Sequence, residues 1–225
     1  TRDAARLGNS VRKAVTQQQF HLCYQPIVDL GSGEIRKAEA LIRWRHPERG
    51  LISPAEFIPA AESTGLIHAI GDWVFHQAAG QAQRWRAHRP GFQVSINVSP
   101  MQFQNGRLAM SVWLQHLRSI GGDGSSIVVE ITETALITQI ETASAHILRL
   151  REAGALVALD DFGSGYSSLR YLASMPVNLV KFDISMIHML ESGDDRQRRM
   201  IREIAGLVLG AGYEMVAEGV ESQTL

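Results

Sequence analysis

Apolar and polar residues along this chain fall into short blocks that change period repeatedly. Runs of strand character cover Phe20 to Leu30, Glu34 to Trp44, Phe92 to Ser99, Ser126 to Glu133, Ala155 to Phe162, Asn178 to Ser185 and Tyr213 to Val220. Several hold a continuous apolar stretch, as expected of strands buried on both faces. The stretches between them carry helix punctuation. Ser53-Pro54-Ala55-Glu56 and Thr138-Gln139-Ile140-Glu141 each read as a capping box, the first with Pro at the first helical position. The helix after Thr138 is expected to stop at Gly154, and one after Gly65 at Pro90-Gly91. Ile201, Ile204 and Val208 mark the core face of another, ending near Gly210 or Gly212.

Strand followed by helix, repeated, predicts a parallel sheet with helical crossovers. The first two strands are the exception. Only Gly31-Ser32-Gly33 separates them, so they form an antiparallel hairpin. Seven strands are readable, and an α/β fold of the TIM-like (β/α)8 barrel type fits better than a doubly wound sheet, which would need a phosphate-binding first turn.

Composition narrows the classes without choosing among them. The chain has 225 residues, 45% hydrophobic and 20% charged, enough to bury a sizeable core. A net charge of -1 offers no basic field for a nucleic-acid polymer. The lone Cys23 excludes an internal disulfide framework and suggests a reducing, cytoplasmic setting. Apolar runs are too short to span a bilayer, although a longer parent protein could be membrane-anchored.

The polar residues embedded at the strand ends change the picture most. They are Glu39, Asn97, Glu130, Asp160, Asp161, Lys181, Asp183 and Glu218. In a barrel of this kind such positions face the active site. A single acid after a strand is as often a helix cap or a solvated turn. Polar strand-end groups converging from six strands are different, because the buried carboxylates among them require cations or shared protons. Oxygen donors with one amide, and neither His nor Cys, favour Mg²⁺ or Mn²⁺ over Zn²⁺. No HExxH or GxSxG occurs, which argues against a zinc protease and a serine hydrolase. Gly163-Ser164-Gly165 with Ser168 nearly matches a dinucleotide-binding turn, but the third Gly is missing and the strand comes late.

These segments resemble the EAL domain family. AEALIRWRHP from Ala38 contains the signature Glu39-Ala40-Leu41. YQPIVDL from Tyr24, FIPAAESTGLI from Phe57, INVSP from Ile96, VEITET from Val129, LDDFGSGYSSLRYL from Leu159, VKFD from Val180 and VAEGVES from Val216 follow in the family's order. The resemblance implies a barrel with an antiparallel first strand and hydrolysis of cyclic di-GMP to linear pGpG, with two divalent cations, in bacterial second-messenger signalling. The alternative is a receptor that binds cyclic di-GMP without cutting it; a third reading is an unrelated metal-dependent barrel hydrolase.

By the same resemblance, Glu39, Asn97, Glu130 and Asp160 are ligands of one cation, and Asp160 and Asp161 of the other. Lys181 holds the attacking water, and Glu218 is either a ligand or a general base. Gln25, Arg43 and Asp183 match substrate-contacting positions, while Glu133 and Glu221 anchor the loop after Asp161, which also serves a homodimer. Ser164, Asn178 and Phe182 depart from the commoner Thr, Asp and Ile, and none removes a ligand. The family's eighth strand, with its Gln-Gly step, is absent from the sequence. Residues 20–225 are thus expected to form a C-terminally incomplete phosphodiesterase domain. Residues 1–19, with Leu7, Val11 and Val15 spaced by four, form a helical cap or a linker from an upstream GGDEF or sensory domain.

Overall fold

The computed structural model describes residues 2–103, 110–132, 140–164, 172 and 175–220. The chain divides into two compact units, Thr1–Val129 with Ala153–Ala155, and Glu130–Glu152 with Leu156–Leu225.

The first unit opens with helix α1 (Arg2–Thr16) and the hairpin β1 (Phe20–Val28) and β2 (Ile35–His46). The hairpin is antiparallel as expected, and Asp29 closes its turn by accepting hydrogen bonds from the backbone N–H and hydroxyl of Ser32. The apolar stripe of α1 falls on Gly8, Val11 and Ala14, with Leu7 and Val15 half-buried; Gly8 lies against Thr64 beyond the end of α2. A short strand the apolar pattern did not reveal, β3 (Gly50–Ile52), pairs antiparallel with the far end of β2. Helices α2 (Pro54–Ser63) and α3 (Ile67–Arg86) follow, then β4 (Gln93–Asn97), which is parallel to β2. Phe20, Trp44 and Phe57 pack ring against ring with centroids 5.4–5.8 Å apart, and this cluster is the core beneath the hairpin. Short α4 (Pro100–Phe103), α5 (Met110–Ser119) and the start of β5 (Ile127–Thr132) complete the unit.

The second unit takes the rest of β5, then α6 (Ile140–Glu152), β6 (Leu156–Phe162), β7 (Leu179–Phe182), α7 (Ile184–Ser192), α8 (Asp195–Gly210) and β8 (Glu214–Ala217). β6, β7 and β8 are parallel neighbours. All four residues of β7 are buried, which accounts for its unbroken apolar character around Lys181. Phe162 and Phe182 stack at 5.7 Å, so the Phe at 182 fills a core position. Asn178 keeps a hydrogen-bonding role, its side-chain carbonyl accepting from the Val157 N–H at 3.1 Å.

Helix ends correct the sequence reading in places. Ser53 stands at the N-cap of α2 with Pro at the first position, but its side chain makes no capping bond. Glu56 is instead drawn to Arg49 at 2.6 Å, so the expected box does not close. The second box, at Thr138, lies outside the described residues. α3 ends at Arg86, ahead of Pro90, and a short turn uses the intervening residues. α6 stops two residues before Gly154 and α8 at Gly210, as expected. A capping box that was not read, Asp194 with Gln197, starts α8. Ile201 and Val208 are buried on α8 and Ile204 is half-buried. Among the described residues no strand follows β8, and no helix is long and apolar enough to cross a membrane.

Candidate active site

In the first unit Glu39 sits within β2 rather than at its end, because β2 runs on to pair with β3. Its parallel neighbour on β4 is Ser95, and Asn97 closes that strand. The Asn97 amide Nδ2 donates to Glu39 Oε1 at 2.6 Å. The amide thus spends its donor on the carboxylate, and its carbonyl oxygen is the atom it can offer a cation. Gln25 is the cross-strand partner of Glu39 on β1, while Arg43, four residues along β2, turns its guanidinium onto the Ile42 carbonyl at 2.9 Å.

The second unit carries a denser group. Lys181 is only 2% exposed, and its ammonium lies 2.6 Å from Glu130 Oε2, 2.7 Å from Glu218 Oε1 and 3.0 Å from Asp160 Oδ1. Glu130 and Asp160 are themselves buried, at 2% and 8%. Strand alternation would send Asp160 and Asp161 to opposite faces. A bulge prevents this: Leu159 pairs with Val180 and Phe162 with Phe182, so two aspartates stand opposite Lys181 alone. Asp161 takes a left-handed backbone (φ 56°), and carboxylate oxygens of Asp160, Asp161 and Glu218 all come within 4.8 Å of one another.

Two glycines let the backbone close on this group. Gly163 has φ 98°, and a Cβ there would fall 2.3 Å from Met186 Sδ; Gly219 has φ 71°, and a Cβ there would fall 2.4 Å from Ile184 Cγ1. Both glycines therefore let the loops beside Asp161 and Glu218 rest on the first turn of α7. Asp183 caps that helix by accepting the Ser185 N–H at 2.9 Å. Glu133 and Glu221, expected to anchor the loop after Asp161, lie outside the described residues, as does most of the stretch from Asp161 to Leu169 assigned to dimerisation.

The donor set suits a hard divalent cation. In the second unit it is made of carboxylate oxygens, and those of Glu130, Asp160 and Glu218 face one ammonium. Asp160 Oδ1 is buried and, although near Lys181, makes no hydrogen bond of acceptable geometry among the described residues, which leaves an acceptor that a cation would satisfy. Recesses elsewhere in the first unit lack these acids: a wide dip of about 690 Å³ is walled by Gln19, Phe20, His21 and Arg45, and an apolar one of about 440 Å³ by Tyr24, Ile35, Trp85 and Phe92. The chemistry, not concavity, locates the site.

A sequence profile of the EAL domain matches residues 8–224. The chain is 38% identical over 218 residues to the cyclic di-GMP phosphodiesterase PA2567 of Pseudomonas aeruginosa, covering 96% of this chain and 37% of the relative. It is 37% identical over 216 residues to the cyclic di-GMP phosphodiesterase PdeR of Escherichia coli K12, covering 96% and 32%. The chain thus spans about a third of the length of these curated relatives. Among solved structures, the PaMucR phosphodiesterase in complex with c-di-GMP superposes with a TM-score of 0.88 at 34% identity, over 97% of this chain and 88% of that one. The α/β, TIM-like barrel class expected from the sequence is the fold of these neighbours.

Proposed function

Because the chain belongs to the EAL domain family, we propose that it hydrolyses cyclic di-GMP to linear pGpG with two divalent cations, Mg²⁺ or Mn²⁺. The observation that carries the reading is the buried Lys181 among Glu130, Asp160 and Glu218, beside the clustered carboxylates of Asp160, Asp161 and Glu218. Two relatives named as cyclic di-GMP phosphodiesterases support it.

In this reading Glu39, Asn97, Glu130, Asp160 and Asp161 hold the cations. Bound there, the cations supply Lewis-acid activation of water and neutralise the phosphodiester. Lys181 orients the attacking water and offsets negative charge that develops on the phosphate. Its carboxylate partners hold the ammonium in place, so it acts without reorganising. Glu218 accepts the proton of the water, being less buried than Glu130 and already within hydrogen-bonding distance of Lys181. Arg43 and Gln25 contact the nucleotide, Arg43 by forking onto a phosphate or stacking on a guanine.

The test is chromatographic detection of pGpG after incubation of the chain with cyclic di-GMP and Mn²⁺, with and without EDTA. The proposal predicts pGpG only when the cation is available. Tight guanine-selective binding with no product at any Mn²⁺ or Mg²⁺ concentration would mean a receptor instead of an enzyme.

A further inference from the structure

Asn97 is exposed at the end of β4, yet the three residues before it and Val98 after it are buried, and the turn that follows is fastened by side-chain and backbone hydrogen bonds. The Ser99 hydroxyl donates to Glu62 Oε1 at 2.6 Å and accepts from the Met101 N–H at 3.2 Å. The Ser99 N–H donates to Gln102 Oε1 at 3.1 Å, and the Gln102 N–H returns to the Ser99 carbonyl at 2.9 Å. Gln102 is only 3% exposed, and its amide is pressed onto α3 at Gly71, where a Cβ would stand 2.0 Å from Nε2.

Two helices make local concessions to this turn. Glu62 sits in the last turn of α2, the end at which the helix dipole disfavours an acid. Gly71 lies inside α3, where alanine would be the better helix former. Both unfavourable choices touch Ser99 or Gln102, and departures from local preference of this kind concentrate where a site must be held in place. The turn begins two residues after Asn97.

We propose that Glu62, Ser99, Gln102 and Gly71 form a positioning latch that fixes the Asn97 carbonyl for a divalent cation. The inference rests on Asn97 being a cation ligand, as in the function proposed above. These four are positioning residues: none offers an atom to the cation, and the latch acts by holding the backbone of β4's last residue while Glu39 holds its amide.

The experiment compares Ser99→Ala, Ser99→Thr, Gly71→Ala and Asn97→Ala with the unaltered chain. The readouts are Mn²⁺ affinity by electron paramagnetic resonance titration, Tm without metal, and kcat and KM for cyclic di-GMP. Ser99→Ala and Gly71→Ala are expected to weaken Mn²⁺ binding by about 10–100-fold, to lower kcat at limiting Mn²⁺ with KM little changed, and to recover rate in excess Mn²⁺. Ser99→Thr, which keeps the hydroxyl, is expected to restore affinity. A fall in Tm with Mn²⁺ affinity within twofold of the unaltered chain would overturn the latch, leaving the turn a purely structural feature. If Gly71→Ala does not fold, the Ser99 pair decides alone. Normal Mn²⁺ affinity in Asn97→Ala overturns both the ligand reading and the latch, whereas loss in Asn97→Ala with normal affinity in Ser99→Ala overturns only the latch.

Discussion

Glu39 and Asn97 in the first unit, and Glu130, Asp160 and Glu218 in the second, present similar oxygen donors under opposite constraints. The first pair is partly solvated, and the amide of Asn97 donates to the Glu39 carboxylate at 2.6 Å. The second group is mostly buried and wrapped around its own cation, Lys181. Carboxylates near water need little help to stay ionised, so the first pair can be fixed through the backbone that carries it. Buried ones cost several kcal/mol each unless a positive charge is supplied, so the second group is built with that charge in place. Structure and function should therefore separate in the first unit and fail together in the second.

Lys181→Met gives the largest expected effect. It keeps the volume but strips the charge from Glu130 and Asp160. The rate of pGpG formation should fall by about 10²–10³-fold, and denaturant unfolding without metal should show a loss of about 3–5 kcal/mol. Mn²⁺ should return part of that stability. Undiminished stability would show that the buried carboxylates are protonated or otherwise compensated, and would erase the contrast between the units.

Asn97→Ala sharpens the comparison from the other side. Its hydrogen bond to Glu39 is exposed, so unfolding should register about 1 kcal/mol or less. The Mn²⁺ concentration for half-maximal rate should rise nonetheless. A large stability loss would mean that Asn97 is a structural residue.

The smallest effect concerns a contact belonging to neither group. His76 on α3 and His116 on α5 meet ring to ring at 4.2 Å. Burial, and then His76, lower the His116 pKa below its ordinary 6.5. The unfolded chain then binds the extra proton more readily, so this contribution to stability is present above pH 6.5 and is lost as pH falls through the lowered value. His116→Gln should flatten the slope of Tm between pH 7 and pH 5. An unchanged slope would assign it to other groups.

Much of this was legible in the chain itself. The seven strand runs and the hairpin followed from period and turn chemistry, and the acids stood out because they interrupt apolar runs. What escaped was non-local. The bulge that turns Asp160 and Asp161 toward one side depends on the register of β6 against β7, which no single segment encodes. β3 is three residues long and exists because β2 continues past Trp44 to meet it. The box at Ser53 failed because Arg49, from the preceding turn, competes for Glu56. The Asp194 and Gln197 box did carry its usual four-residue signal and could have been found. The fastening of Ser99 to Glu62 spans 37 positions and leaves no periodic trace.

The most direct test of the account is the initial rate of pGpG release as a function of Mn²⁺ concentration, measured side by side for the unaltered chain, Asn97→Ala and Asp160→Asn. Metal-dependent hydrolysis using both acidic groups predicts no product without Mn²⁺, saturation for the unaltered chain, a curve displaced to higher Mn²⁺ for Asn97→Ala, and a depressed plateau for Asp160→Asn. Product formed equally with and without Mn²⁺, or curves that coincide for all three proteins, would contradict it.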